Sequence, residues 1–108
     1  MTPEQKKLYR LKADLVSAAA DPIRLAVIDF LAGGEQCVCD IAKFVGAERS
    51  NVSRHLAVML RAGLVDSRKD GLKVMYSLRT PCIMKFISCV TDVIRHQARE
   101  SSRILEKI

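Results

Sequence analysis

Cys37 and Cys39, separated by a single valine, are the residues of this 108-residue chain whose type and spacing most directly suggest chemistry. Two thiols at that distance can close on one soft ion, because sulfur ligands select soft metals and metalloids. The competing use is packing, since a free cysteine is commonly a small buried hydrophobe. Cys82 and Cys89 form a second, wider pair. On a helix they would share a face yet lie about 10 Å apart along the axis at 1.5 Å per residue, so one ion cannot join them within one chain. Packing in a helix–helix contact is the simpler use of that pair. His55 and His96 are the two histidines. There is no Cys-x-x-Cys on a βαβ pattern, no Ser/His/Asp set and no glycine loop for phosphate, so an enzyme is not expected.

A second chemistry lies in the middle of the chain. Arg49, Ser50, Asn51, Ser53, Arg54 and His55 crowd one short stretch with groups that hydrogen-bond phosphates and base edges. From Arg49 to Lys73 there are six basic residues, with Arg61, Arg68, Lys69 and Lys73 completing the set, against only Asp66 and Asp70. The whole chain carries 18 Lys and Arg against 12 Asp and Glu, a formal charge of +6. A basic excess on so short a chain favours a polyanion, with nucleic acid ahead of an anionic membrane surface. Arg54 and Asn51 are the best candidates for base contacts. Ser50 and Ser53 suit phosphate, and His55 suits a phosphate or an internal hydrogen bond. Any one of these could equally belong to a solvated helix face; the ensemble argues for DNA.

The elements that must position these groups follow from periodicity. Thr2-Pro3 and Asp21-Pro22 each pair a capping side chain with a first-turn proline, so helices are expected to about Ala20 and from Ile23 to Ala32. The second is dense in apolar residues and reads as central core, ended by Gly33-Gly34. A short helix from Val38 to Val45 and another from Arg49 to Ala62 are joined around Gly46, which is helix-turn-helix spacing. Val52, Leu56, Met59 and Leu60 give the latter its buried face. The period then changes to two. Val65 to Lys69 and Leu72 to Leu78 flank Asp70-Gly71, a hairpin turn expected to take positive φ twice. A last helix opens at Pro81, with Ile83, Phe86, Ile87, Val90, Val93 and Ile94 on one stripe. A domain this small already covers its core, so that stripe is expected to pair with a second copy.

The fold class expected is mainly α: a homodimeric winged helix-turn-helix of five helices and a two-stranded hairpin wing. Residues 1–108 form one domain, in which 1–20 and 81–108 are dimerisation helices, 38–63 the helix-turn-helix and 65–78 the wing. With 49% hydrophobic residues, 5% aromatic and no Trp, the core must be aliphatic. No run reaches the roughly 20 apolar residues of a membrane span. The polar Met1–Arg10 stretch is unlike a signal peptide, so a reducing cytoplasm is expected and the four cysteines are not expected to form disulfides.

Taken together, several stretches resemble the ArsR/SmtB family of metal-responsive repressors. They are Asp21-Pro22-Ile23-Arg24-Leu25, Glu35-Gln36-Cys37-Val38-Cys39-Asp40-Ile41, Ser53-Arg54-His55-Leu56, and Leu60-Arg61-Ala62-Gly63-Leu64-Val65. The wing from Arg68-Lys69-Asp70-Gly71 to Tyr76-Ser77-Leu78 also matches, so the resemblance spans roughly residues 15 to 95. It implies a homodimer that represses its own operon at a palindromic operator and lets go when an inducer binds, with no permanent cofactor. Within the family, Cys-Val-Cys-Asp resembles a thiolate site for As(III), Sb(III), Cd(II) or Pb(II). The resemblance therefore implies Cys37 and Cys39 as ligands, with As(III) or Sb(III) as the first expectation. The third cysteine of well-known arsenite sensors is replaced by Ala42, and no cysteine precedes Cys37 as in cadmium and lead sensors. A third donor must then be Cys82, Cys89, an oxygen ligand or a soluble thiol. The zinc-sensor positions of the last helix fall on Thr80, Cys82, Val93 and His96, of which only Cys82 and His96 can coordinate, so a full Zn(II) site is not expected. The same fold with thiols answering to oxidant or persulfide is the other reading.

Overall fold

Side-chain caps set the first two helices. Thr2 and Gln5 exchange reciprocal hydrogen bonds, Gln5 N–H donating to Thr2 Oγ1 at 3.1 Å and Thr2 N–H to Gln5 Oε1 at 2.9 Å. The Asp21 carboxylate accepts from the N–H groups of Ile23 and Arg24 at 2.9 and 3.1 Å. In the computed structural model, which describes residues 1–107, these caps open α1 (Pro3–Ala19) and α2 (Pro22–Ala32). There follow β1 (Gln36–Cys37), α3 (Val38–Val45), α4 (Arg49–Ala62), β2 (Val65–Asp70), β3 (Lys73–Leu78) and α5 (Ile83–Glu106).

The core is aliphatic, as the composition requires. Val27 and Ile28 of α2, Ile41 of α3, Val52, Leu56 and Met59 of α4, and Leu64 and Val65 at the start of the wing are fully buried. Ala18 and Ala19 dock the end of α1 on this cluster. Leu60 is 39% exposed, so the buried face of α4 is narrower than its apolar residues suggested.

The sheet differs from expectation in two ways. It has three strands in the order β1-β3-β2, all antiparallel, because Gln36 and Cys37 pair with Tyr76 and Met75. The hairpin turn also sits one residue later than expected: Asp70 pairs with Lys73, leaving Gly71-Leu72 as the loop. Only Gly71 takes a positive φ, +63°, the Gly-first pattern of a type II′ turn rather than a doubly positive type I′. Leu72 is consequently a fully exposed tip residue and not part of a half-buried strand. At the other end, Thr80 Oγ1 donates to the Gly63 carbonyl at 2.9 Å, and α5 begins at Ile83, two residues beyond Pro81.

The two terminal helices extend away from this centre. The radius of gyration is 17.2 Å, against about 13 Å for a compact domain of this length. Leu8, Tyr9, Leu11 and Val16 of α1 are exposed, and so are Phe86, Val90, Val93 and Ile94 of α5. No residue of α5 is fully buried; Ile83, Met84 and Ile87 reach the core edge. Among the described residues, no helix is long and apolar enough to cross a membrane.

Candidate nucleic-acid interface and thiol cleft

Gly46 makes the turn between α3 and α4 possible. It adopts φ +68°, ψ +36°, a left-handed conformation costly for other L residues, and its N–H donates to the Ala42 carbonyl at 2.9 Å. With Val52, Leu56 and Met59 held in the core, the opposite stripe of α4 faces outward. Arg49, Ser50, Ser53 and Arg54 are exposed on it and Asn51 is half-buried at its margin. Ala57, which the sequence reading did not single out, continues the stripe with a methyl group. The N-cap residue Glu48 makes no side-chain cap, so the first N–H groups of α4 remain open to an anionic acceptor.

His55 is placed differently from its neighbours. Its side chain is 18% exposed, and its Nδ1 lies 3.3 Å from Arg24 Nη1 and 3.7 Å from Asp21 Oδ2. Through these contacts the ring braces α4 against the start of α2. Burial pushes the Asp21 carboxyl up, but the Arg24 N–H, the His55 charge and the Ile23 N–H outweigh it and hold the group below its usual range. His55 thus packs between α4 and the start of α2. Arg24, whose Nε is buried without a hydrogen-bond partner, is the brace residue that pattern reading missed.

The wing cations also divide. Lys69 and Lys73 are exposed and form no ion pair among the described residues. Arg68 is already engaged: its Nε and Nη2 donate to the two carboxylate oxygens of Glu35 at 2.8 and 2.5 Å. Hydrogen bonding from Arg68, helped by its charge, draws the Glu35 carboxyl below its ordinary range, and the same contact raises the Arg68 guanidinium. Because β3 lies between β1 and β2, this bidentate pair clasps the wing to the segment entering β1.

That segment ends in the thiols. Cys37 is the last residue of β1 and the N-cap of α3, buried and in register with Met75; Cys39 is the second residue of α3 and is half-buried. Both line a cleft of about 230 Å³ whose other walls are Arg49 and Ser53 of α4 and Leu72 and Lys73 of the wing. Pairing of β1 to β3 brings the thiols to this position, and nothing in the local sequence pattern announces it. Cys82 and Cys89 lie apart from this cleft and are exposed. His96, also exposed, has its Nε2 3.9 Å from Glu100 on the next turn of α5. Among the described residues, no three His, Cys, Asp or Glu side chains come together as a metal site.

A two-helix reading unit with an exposed polar stripe, followed by a basic hairpin, defines a winged helix-turn-helix regulator. Residues 21–67 match the family model described as bacterial regulatory protein, arsR family. The chain is 31% identical over 106 residues to the uncharacterised transcriptional regulator Rv0081 of Mycobacterium tuberculosis, covering 97% of this chain and 93% of that one. It is 33% identical over 86 residues to the arsenical resistance operon repressor of Staphylococcus xylosus, covering 80% and 82% of the two chains. The solution structure of a homodimeric winged helix-turn-helix domain from Mycobacterium bovis superposes with a TM-score of 0.79 at 25% identity, over 93% of both chains. The chain belongs to the arsR family of bacterial transcriptional regulators, and its role is regulatory, not enzymatic.

Proposed function

We propose that this chain is a homodimeric, cytoplasmic repressor that binds a palindromic operator and releases it when As(III) or Sb(III) is held by Cys37 and Cys39. Arg49, Ser50, Asn51, Ser53 and Arg54 enter the major groove, and Lys69 and Lys73 of the wing lie against phosphate, with Arg68 shared between Glu35 and the backbone. The exposed apolar faces of α1 and α5 form the dimer contact, in keeping with the homodimeric M. bovis relative.

The observation that carries the sensing assignment is the composition of the cleft. The same small space is walled by both thiols, by two outward residues of the recognition helix and by the wing tip. Closing Cys37 and Cys39 on one centre moves β1 and α3 together. Through Cys37–Met75 that motion reaches β3, and across the cleft it reaches Arg49 and Ser53. A coupling of about 1–3 kcal/mol between inducer and operator is the size such an arrangement supplies. The named function of the S. xylosus relative supports a metalloid as ligand. No permanent cofactor is needed.

The test is a fluorescence-anisotropy titration of the reduced protein on its own promoter, with As(III), Sb(III), Cd(II), Pb(II) and Zn(II) added in turn. Release by As(III) or Sb(III) is expected, and Cys37→Ser with Cys39→Ser should keep DNA binding while losing that response. Release driven mainly by Cd(II) or Pb(II) would assign a larger, partly oxygen-ligated site. Unchanged release of the double variant would remove the thiols from the site.

A further inference from the structure

As(III) forms three As–S bonds in its stable thiolate complexes, yet the cleft supplies two. The rest of the cleft's lining holds neither sulfur nor carboxylate, and its polar members are Arg49, Ser53 and Lys73. Both cations are exposed side chains on separate elements, and neither has an ion-pair partner among the described residues. Cys82 and Cys89 do not line the cleft. At about 230 Å³ it is smaller than the ~300–1,000 Å³ of ordinary small-molecule sites. It therefore suits one metalloid centre plus a compact organic group, not a large inducer.

We infer that the cleft binds a low-molecular-weight thiol bearing carboxylate groups, which supplies the third sulfur while Arg49 and Lys73 hold its carboxylates. The inference rests on the Cys37/Cys39 reading and names the ligand that completes it. In the reaction each of three thiols, two from the protein and one from the small molecule, condenses with one hydroxyl of As(OH)₃. Three As–O bonds break, three As–S bonds form, three water molecules leave, and no electron changes hands. The soft centre takes sulfur in place of oxygen.

This composition also gives induction an electrostatic component. On the DNA-binding arrangement proposed above, Arg49 and Lys73 are cations of the DNA-facing surface, and DNA affinity rises with the charge available to neutralise phosphate. Carboxylates seated on both would compete with DNA for the same charges, so release would come from local neutralisation as well as movement of α3. A metalloid bound without the anionic thiol would supply the movement alone.

The test measures As(III) uptake by the full-length reduced protein through sulfur–arsenic ultraviolet absorbance, followed by native mass spectrometry. Three conditions are compared: no added thiol, the neutral 2-mercaptoethanol, and mercaptosuccinate, which carries one thiol and two carboxylates. Expected is an adduct of one arsenic and one mercaptosuccinate per chain, less three waters. Uptake should be about fivefold tighter than with mercaptoethanol, the scale of two exposed ion contacts. The ratio should fall to that of a free dithiol in Arg49→Gln with Lys73→Gln, which cancels intrinsic differences between the two thiols. An adduct of arsenic with protein alone, or an unchanged ratio in the double variant, overturns the third-thiol assignment and leaves the cysteine site standing. Absence of As(III) uptake in every condition overturns both.

Discussion

Side chains in the centre of the molecule, where α2, α3, α4 and the sheet meet, are sealed to 0% exposure at eight positions, whereas no residue of the 24-residue α5 is fully buried and only Ile83, Met84 and Ile87 touch the core. Both regions carry apolar stripes of similar quality in sequence. They differ in what covers them. The stripe of α4 finds α2, α3 and the wing within the same chain, while those of α5 and the outer half of α1 find solvent. The centre therefore specifies its own fold, and in the dimer proposed above the ends would acquire their burial from a second copy. Both thiol pairs follow this division: Cys37 and Cys39 sit at the edge of the sealed centre, buried and half-buried, whereas Cys82 and Cys89 lie on the arm and are exposed.

The sharpest way to break this comparison is to damage each region separately. Leu56→Ala removes a fully buried side chain from the middle of α4 and should cost about 2–5 kcal/mol of unfolding free energy, read from urea transitions. Val93→Asp places a charge on the exposed α5 stripe, where the single chain loses nothing. It should instead weaken dimerisation by about 2 kcal/mol, the scale of an interface hot spot, as measured by sedimentation equilibrium. Loss of monomer stability in Val93→Asp with the dimer intact would show that α5 packs on its own chain.

These regions were not equally legible in the sequence. Both α3 and α4 begin and end where periodicity placed them, because Gly46 and Gly63 stop them with positive φ and Val52, Leu56 and Met59 mark a buried face. Strand β1 was invisible for a physical reason: two residues cannot display an alternation, and their partner lies some 40 residues on, in β3. That pairing is what sets Cys37 and Cys39 in one cleft with Arg49 and Ser53 of α4. The Arg68–Glu35 pair, 33 residues apart, leaves no local pattern either. His55 shows the same limit from the other side. Its position on α4 was apparent, but its partner on α2 was not.

Within the centre, the comparison sharpens between residues that are free and residues that are held. Arg54 is exposed with no ion pair among the described residues, so Arg54→Ala should weaken operator binding by about 1–3 kcal/mol and relax sequence preference at one position. Competition between operator variants measures both effects. A uniform loss across all sequences would make Arg54 a phosphate contact.

Arg68 is held, and freeing it should have the smallest and most telling effect. In the DNA-free protein Glu35 claims its guanidinium through two hydrogen bonds, so a phosphate must displace or share a carboxylate. Glu35→Gln keeps the side chain's length, removes its charge and should tighten operator binding by about two- to threefold, with a steeper dependence on salt as one more cation becomes available. The pH dependence fixes the sign of the contact. Because the Glu35 carboxyl lies below its ordinary 4.5, the pair is fully formed above that value. It is lost only as pH falls through the lowered one. An Arg68 Nε–H resonance should accordingly stay protected from pH 7 to below 4.5 in the wild-type protein and be weakened at every pH in Glu35→Gln. Weaker DNA binding by that variant would mean the opposite arrangement, in which Glu35 orients Arg68 toward phosphate and the clasp belongs to the DNA-bound state.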